Sequence, residues 1–392
     1  MKNILRNVVG ITLSVYIIAI IIFKQNYNTI TYYIDALFLL SVLIFFFIKK
    51  DYSFTMNGLL YLYGSFFIVG LLSSLIGVDF SVSSFKALQL FLFFLNMIII
   101  YNVLKKLNLY YYFMNGILIA SFINYVLLFG IVSAPFAITS GYRTMGTMGN
   151  ANGLASIMLF SIFISIIYTF ILNKKYLIYF HFINILLAYY TVITTVSKKG
   201  IIFATILLLS YFIILLLKDK KKLIQLLVLL IVAYFILINY IDISELNIMF
   251  DHVIYRFSAF QTQISGHAYR GSTYEREYLI KQAWSVFQDG PIFGHGLATF
   301  YQLNTLHLYA HNNYMELLAN VGLVGFTFYY LMYYFLIKNA LKIKSNTIKI
   351  IFLIFIIILL FMDLALVSYS SKYLLYGLVF LIAYIENSQQ KN

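Results

Sequence analysis

Long apolar runs constrain the fold of this chain more than any other feature of its sequence. A helix needs about 20 apolar residues to cross a membrane, within a range of roughly 17–25. Only 10% of the 392 residues are charged, which is too few to keep the surface of a soluble protein of this size polar. The sequence therefore predicts an all-α polytopic membrane protein with about twelve transmembrane helices. The predicted spans, of which the last is short, cover residues 7–23, 31–48, 56–76, 87–104, 111–133, 153–172, 177–195, 201–217, 223–240, 319–337, 350–368 and 373–385.

The positions of lysine predict how these helices are oriented. Basic residues collect in the cytoplasmic loops of membrane proteins. With the N terminus inside, every pair of adjacent basic residues except Lys198-Lys199 falls on the cytoplasmic side. Both termini are therefore predicted to be cytoplasmic. The chain then divides into helices 1–9 over residues 1–240, a large extracytoplasmic loop with short helices over 241–318, and helices 10–12 over 319–392.

Arginine has the opposite distribution, because four of the five arginines are predicted to face outward. Its planar guanidinium binds phosphate or carboxylate through two hydrogen bonds at once, which an ammonium cannot do. The alternative explanation is chance together with surface ion pairs. The net charge of +14 does not indicate a nucleic-acid-binding protein, because the basic residues form no continuous face. Zero cysteines exclude disulfides, thiol nucleophiles and thiolate metal sites. The outward arginines are Arg143, Arg256, Arg270 and Arg276.

The long external loop holds five of the six histidines and the single tryptophan. Its run Ser272-Thr273-Tyr274-Glu275 is typical of a capping box that opens a helix, and Gly290-Pro291 would end that helix. Apolar residues recur between them at helical spacing. We expect an amphipathic helix on the membrane surface, with Trp284 at the level of the lipid headgroups and Arg276 in its first turn.

Two glycine-containing motifs follow this helix. The stretch from Gly290 to Gly296 is predicted to form a tight turn that brings backbone close to a ligand or to another helix. Eleven residues advance a helix by about three turns, so His311 and Gly322 are expected to share one face. A helix-packing motif with an interfacial histidine and a functional histidine remain equal alternatives. No metal motif and no phosphate-binding loop for ATP is found.

Two further external positions carry cations. Arg143 lies in a glycine-rich loop over 134–152 directly before a helix, and the free amides of helix N termini favour anions. Lys198 and Lys199 form a short external turn, against the topology rule. Such a turn indicates that the positive charge is needed there.

Taken in order, these motifs resemble the O-antigen ligase and Wzy-type polymerase superfamily of bacterial surface polysaccharide assembly. His311-Asn312, nine residues and then Gly322-x-x-Gly325 is similar to the signature of the ligases. Arg276, Trp284 and Pro291-x-x-Gly294-x-Gly296 resemble the family's arginine, helix and glycine-turn run, with Arg270 as an alternative match for the arginine. Arg143 with Asn150-x-Asn152 resembles the first external arginine region. Ser197-Lys198-Lys199 is similar to a Ser-Arg element with lysine in place of arginine.

The resemblance implies metal-independent glycosyl transfer on the outer face of the bacterial cytoplasmic membrane, without a cofactor. The donor and acceptor would be undecaprenyl-diphosphate-linked oligosaccharides, with membrane lipids, a chain-length regulator and a flippase as partners and no nucleic acid. His311 is the implied base for the acceptor hydroxyl, and Glu316 is a weaker candidate for the base or for a partner of the histidine. The residues expected to bind diphosphate or glycan are Arg143, Lys198, Lys199, Arg256, Arg270 and Arg276.

Polymerase and ligase would share one site, so the motifs do not separate them. The abundance of Ile, Lys, Asn, Tyr and Phe is typical of low-GC bacteria, some of which lack lipopolysaccharide. We therefore expect a polymerase of capsule, exopolysaccharide or O-antigen-like repeat units, with a ligase that transfers the glycan to another acceptor as the alternative. A lipid-linked oligosaccharide flippase is the alternative from a different class, and a sensor or assembly scaffold is a third.

Overall fold

The computed structural model describes residues 2–24, 28–50, 53–133, 138–172, 175–240, 251–255, 258 and 272–390. Helices dominate this part of the chain. The first nine are α1 (Lys2–Ile22), α2 (Asn28–Lys49), α3 (Gly58–Ile76), α4 (Phe80–Leu107), α5 (Tyr110–Leu128), α6 (Ala151–Ile171), α7 (Lys175–Thr194), α8 (Lys198–Lys218) and α9 (Lys220–Tyr240). Then follow α10 (Ser272–Asp289), α11 (Phe300–Leu303), α12 (Asn313–Ala340), α13 (Asn346–Met362) and α14 (Lys372–Gln390).

Between α5 and α6 lies a short antiparallel hairpin. It pairs β1 (Thr139–Ser140) with β2 (Arg143–Thr144) and leads into a single 3-10 turn at Gly146–Met148. The turn between the two strands places Gly141 in the left-handed region, with φ of 55°. The remaining described elements are helical, so the predicted class of an all-α architecture is confirmed apart from this hairpin.

Within the described ranges, nine helices are long and apolar enough to cross a membrane. The prediction of a polytopic membrane protein is thereby confirmed. The other three predicted spans, 223–240, 350–368 and 373–385, overlap α9, α13 and α14, and the apolar α13 has 17 residues. The total of twelve spans and their orientation remain predictions.

The chain divides into two compact units, and their boundaries differ from those predicted from the sequence at residues 240 and 318. Unit 1 comprises Met1–Asn7, Ser41–Tyr110 and Tyr269–Asn392, and unit 2 comprises Val8–Leu40 and Tyr111–Ala268. These units follow contacts within the fold. The predicted division at residues 240 and 318 follows membrane topology and stays a prediction.

Unit 1 is built around α3, α4, α12 and α14, which pack on one another. Aromatic side chains fill the contact between α3 and α12, where the rings of Phe66 and Tyr329 meet edge-on at 5.4 Å. A partly exposed ion pair joins α4 to α14, with Lys105 Nζ 2.6 Å from Glu386 Oε2. The hydroxyl of Tyr101 donates to the same carboxylate oxygen at 2.6 Å. The last helix is therefore fixed to α4 by charge as well as by packing.

Unit 2 is organised around α6, in which nearly every side chain is buried. Its contact with α7 contains a small polar network, in which Asn184 Nδ2 donates to Ser161 Oγ at 2.9 Å and to Ser165 Oγ at 2.8 Å. The hydroxyl of Tyr125 on α5 donates to Asn184 Oδ1 at 3.1 Å. Small hydroxyl residues permit close helix approach in a membrane, and such hydrogen bonds add specificity between helices.

Candidate active site

The predicted external helix is present in unit 1 as α10, which begins at Ser272 and ends at Asp289, immediately before Gly290-Pro291. Its buried face is spaced at i, i+4 and i+7, which is the helical pattern of one side. Trp284 lies off this face and is 47% exposed. The face, formed by Leu279, Ala283 and Val286, packs in one apolar cluster with Phe300, Ala310, Met315 and Ala319. The start of α12 is therefore anchored to α10.

A sharp kink interrupts α12 at Gly322, which has φ of 62° and ψ of −168°. The residue at the other end of the motif, His311, precedes the helix and has φ of 52°. The expectation that His311 and Gly322 share one helical face is therefore wrong. The reason is that the helix starts only at Asn313, after His311, and is broken at Gly322 itself.

The glycine turn replaces the hydrogen bonds that the kink removes. In an unbroken helix Leu323 N and Val324 N would donate to the carbonyls of Ala319 and Asn320, four residues earlier. Here these amides donate to Pro291 O and Ile292 O at 2.8 and 3.2 Å, while Ala319 O and Asn320 O accept from His295 N and Gly296 N at 3.1 and 2.9 Å. The segment Pro291–Gly296 thus inserts into the break. The prediction that this turn brings backbone close to another helix is confirmed.

The backbones of the turn and of α12 approach each other so closely that neither Gly294 nor Gly322 could carry a side chain without a collision. A Cβ on Gly322 would lie 2.4 Å from the backbone carbon of Ile292, and a Cβ on Gly294 would lie 2.5 Å from that of Asn320. Both glycines also have φ above 60°, which costs L residues roughly 1–2 kcal/mol. The two glycine motifs of the sequence therefore form one structural element.

Asparagine side chains fix the start of α12. Asn312 caps the helix by accepting from Tyr314 N at 3.0 Å and Met315 N at 3.2 Å. Asn313 N donates to Asp363 O at 2.7 Å, and Asn313 Oδ1 accepts from Ser368 N at 2.9 Å. The segment between α13 and α14 is thus held against the N terminus of α12. Asn312 and Asn313 have structural partners, and His311 stands immediately outside the helix that they anchor.

His311 is partly exposed, and its ring centroid lies 3.9 Å from that of Tyr309. Burial lowers the pKa of His311 to about 4, and the cation of Arg276 on α10 lowers it further in the same direction. A neutral imidazole has a free lone pair. At neutral pH this side chain is therefore uncharged, and its predicted role as a base stays a prediction.

Glu316 lies one turn into α12 and is 4% exposed. Its Oε2 accepts from Ala310 N at 2.7 Å, and its Oε1 accepts from Asn320 Nδ2 at 3.0 Å. The carboxylate thus contacts the backbone immediately before His311. The sequence-based role of Glu316 as a base or a partner of the histidine stays a prediction.

In unit 2, Arg143 lies on β2 and reaches the turn between α7 and α8. Its Nε donates to Thr195 O at 3.1 Å. Ser197 caps α8, and its hydroxyl donates to Asn152 Oδ1 at 2.9 Å. Asn152 belongs to the first turn of α6, which Asn150 caps. The structure therefore brings the first external arginine region and the Ser-Lys-Lys element together, as two neighbouring helix N termini.

Lys198 and Lys199 are the first two residues of α8, and both are partly exposed. The N terminus of a helix carries a partial positive charge, which attracts anions. Lysines are unfavourable at such a position unless an anion or an acidic group offsets them. This end of unit 2 combines Arg143, two lysines and two helix N termini, an arrangement suited to a phosphate group.

The segment that contains α10, the glycine turn and the kinked start of α12 also carries a recognisable family pattern. Residues 182–330 match the family model described as O-antigen ligase. Over this segment the chain is similar to the O-antigen ligase family. The resemblance stated from the motifs is thereby confirmed. A search of curated proteins finds no match to the chain.

The region matched to the ligase family includes Lys198, Lys199, Arg276, His311 and Glu316. Arg143 precedes it. Two further predicted binding residues, Arg256 and Arg270, fall within the matched range but lie outside the described residues.

Sequence reasoning missed one face of α4 that contacts this segment of unit 1. Asp79 caps α4 and accepts from Gln302 Nε2 at 2.8 Å. A Cβ on Gly296 would lie 2.5 Å from Ser83 Oγ, and Lys86 Nζ lies 5.8 Å from the ring centroid of Tyr369. Residues 79, 83 and 86 have the i, i+4, i+7 spacing of one helix face. A polar stripe at the start of an apolar span was the signal that could have identified them.

Proposed function

We propose that this protein transfers undecaprenyl-diphosphate-linked oligosaccharide repeat units on the outer face of the cytoplasmic membrane. Its product is a capsule, exopolysaccharide or O-antigen-like polymer. The observation that carries this proposal is the position of His311 directly before α12, where the charge of Arg276 reaches it, within the segment that matches the ligase family. Twelve spans with cytoplasmic termini would place this histidine on the outer side.

The proposed reaction needs a proton acceptor and a site for negative charge. His311 accepts the proton of the acceptor hydroxyl while its oxygen attacks the anomeric carbon of the donor sugar. The bond from that carbon to the diphosphate breaks, and the diphosphate leaves on its lipid. Charge that develops on the leaving group is stabilised by cations. We assign this binding role to Arg143, Lys198, Lys199 and Arg276, and on the resemblance also to Arg256 and Arg270.

The donor itself supplies the energy of this transfer, because cleavage of its sugar–diphosphate bond accompanies formation of the new glycosidic bond. No cofactor or metal ion enters the proposed reaction. A ligase is the second candidate, since the matched family model carries the description of an O-antigen ligase. Both candidates use the same donor chemistry and differ in the acceptor.

Purified full-length protein incubated with lipid-linked repeat units tests the proposal directly. We expect a ladder of lipid-linked products that differ by one repeat, and we expect it to persist with a chelator present. Transfer of a single glycan to an added glycolipid acceptor, without a ladder, would support the ligase. Movement of intact repeat units across a vesicle bilayer, without any new glycosidic bond, would contradict the proposal and support a flippase.

Removing the charge of Arg276 is expected to raise the pH below which activity is lost, which we call the acid limit. His311 must be neutral to act as a base, so activity is present above its pKa of about 4 and is lost as the pH falls through that value. Arg276→Gln removes a cation that disfavours the protonated ring, so the loss should begin at a higher pH. The shift should stop short of 6.5, because burial is the larger cause and persists.

The pH dependence of kcat/KM measures this shift, with Arg276→Lys as the charge-conserving control. The lysine variant should keep the acid limit of the parent protein even if its rate falls, since an ammonium lacks the bidentate fork. An acid limit that is identical in the Arg276→Gln variant would show that His311 is not the titrating base.

A further inference from the structure

Two charged side chains in unit 1 have no part in the transfer step described above. Glu316 is buried, and Lys86 on α4 is partly buried and close enough for its charge to act on that carboxylate. Both lie in segments that border the start of α12. A buried carboxylate is costly unless it has hydrogen bonds and a counter-charge. The arrangement therefore requires a reason beyond packing.

Hydrogen bonds tie the Glu316 carboxylate to the peptide that carries the base. Its Oε2 accepts from Ala310 N at 2.7 Å, and Ala310 immediately precedes His311. Its Oε1 accepts from Asn320 Nδ2 at 3.0 Å, and Asn320 Oδ1 in turn accepts from Phe300 N at 2.9 Å. Both carboxylate oxygens are thus occupied by donors that fix its position. The backbone before His311 has one defined place relative to α12.

Lys86 is held in position for its role as counter-charge. Its Nζ donates to Gln89 Oε1 at 2.9 Å and lies 5.8 Å from the ring centroid of Tyr369, which is itself fully buried. Cations are attracted to the faces of aromatic rings, so Tyr369 helps to keep the ammonium beside α12. Loss of Lys86 would remove a positive charge that acts on the Glu316 carboxylate, and a buried carboxylate that loses such compensation is no longer held firmly in its place.

We propose that Lys86 and Glu316 are positioning residues for His311. Lys86 compensates the charge of Glu316, and Glu316 fixes the Ala310 amide, which holds His311 in its left-handed conformation outside α12. This inference rests on the proposed function, in which His311 is the base. The pair acts on the rate of the chemical step without contact to the diphosphate.

Turnover of purified Lys86→Met protein with lipid-linked repeat units tests this inference. Small displacements of a catalytic group reduce rates strongly, by about 10²-fold for a shift of roughly 1 Å. We expect kcat to fall at least tenfold with little change in KM for the donor, and Lys86→Arg to restore most of it. The matched control is Lys281→Met, which removes an exposed lysine paired with Glu277 at 2.9 Å on the surface of α10. That variant should keep the parent kcat.

A double-mutant cycle decides whether Lys86 acts through Glu316. In a Glu316→Gln background the carboxylate is gone, so Lys86→Met should cause little further loss of kcat. Additive losses, or a rise in KM with unchanged kcat, would overturn the inference, because Lys86 would then act separately or touch the substrate. Reduced membrane abundance with normal kcat of the purified protein would also overturn it. A separate assay of His311→Asn keeps the two apart: if that variant is fully active, His311 is not the base and the proposed function loses its proton acceptor, whatever the Lys86 variants show.

Discussion

Replacing His311 with asparagine is expected to reduce the rate of glycosyl transfer by about 10²- to 10⁴-fold, the usual contribution of a general base. Asparagine tolerates the left-handed conformation that His311 adopts, so the backbone before α12 should be preserved. Its carboxamide nitrogen has no lone pair able to take the proton of the acceptor hydroxyl. Cells that depend on this variant should accumulate single repeat units and lack long chains.

His307 provides a closely matched control for this substitution. It lies four residues earlier in the same segment, has φ of 51°, and is exposed, with Nδ1 3.2 Å from Tyr301 O. His307→Asn should therefore leave both the transfer rate and the chain length unchanged. Rates of purified proteins and polysaccharide length on gels measure the two variants together. Equal rates for the His311 and His307 variants would remove His311 from the proposed reaction.

Local patterns of the sequence were sufficient to predict α10 and the turn that follows it. The capping run begins at Ser272 and Gly290-Pro291 marks the end, and both signals depend on neighbouring residues alone. The buried spacing of Leu279 and Ala283 likewise follows from helical periodicity. Predictions of this kind succeed because the forces that decide them act within one or two turns of the chain.

The break in α12 could not be predicted in the same way. Its sequence is apolar and continuous through Gly322, so periodicity favours an uninterrupted helix. The kink exists because Pro291–Gly296, some thirty residues earlier, provides both the acceptors and the donors that an unbroken helix would supply internally. A pairing between distant segments leaves no periodic signal in either. The sequence therefore identified both glycine motifs, but it did not show that one inserts into the helix break formed by the other.

Charged residues show the same division between local and tertiary information. Topology singled out Arg143, Lys198 and Lys199 as outward cations, and the structure joins their segments through Thr195. Lys86 taken alone did not stand out, and only its spacing from Asp79 and Ser83 on one helix face was a local signal. Its significance depends on Glu316, which lies 230 positions away in the sequence. Only the packing of α4 near the start of α12 makes the pair visible.

Replacing Gly322 with alanine is expected to destabilise the protein enough to remove it from the membrane. The left-handed φ of 62° costs an alanine roughly 1–2 kcal/mol. Its Cβ would also lie 2.4 Å from the backbone carbon and oxygen of Ile292. Backbone atoms cannot rotate away as a side chain can, so the turn must separate from α12. That separation would break the hydrogen bonds of Leu323 and Val324 to the turn.

Gly130 separates the two costs, because it has φ of 66° and no atom lies within 4 Å of the position that a Cβ would occupy there. Gly130→Ala therefore carries the conformational strain without the collision. We expect this variant to remain folded, with a modest fall in thermal stability, while Gly322→Ala fails to accumulate or unfolds at a much lower temperature. Membrane abundance and the unfolding temperature of purified protein measure the difference. Equal stability of the two variants would mean that the turn is not packed tightly into the break, and the left-handed geometry alone would then explain the glycine.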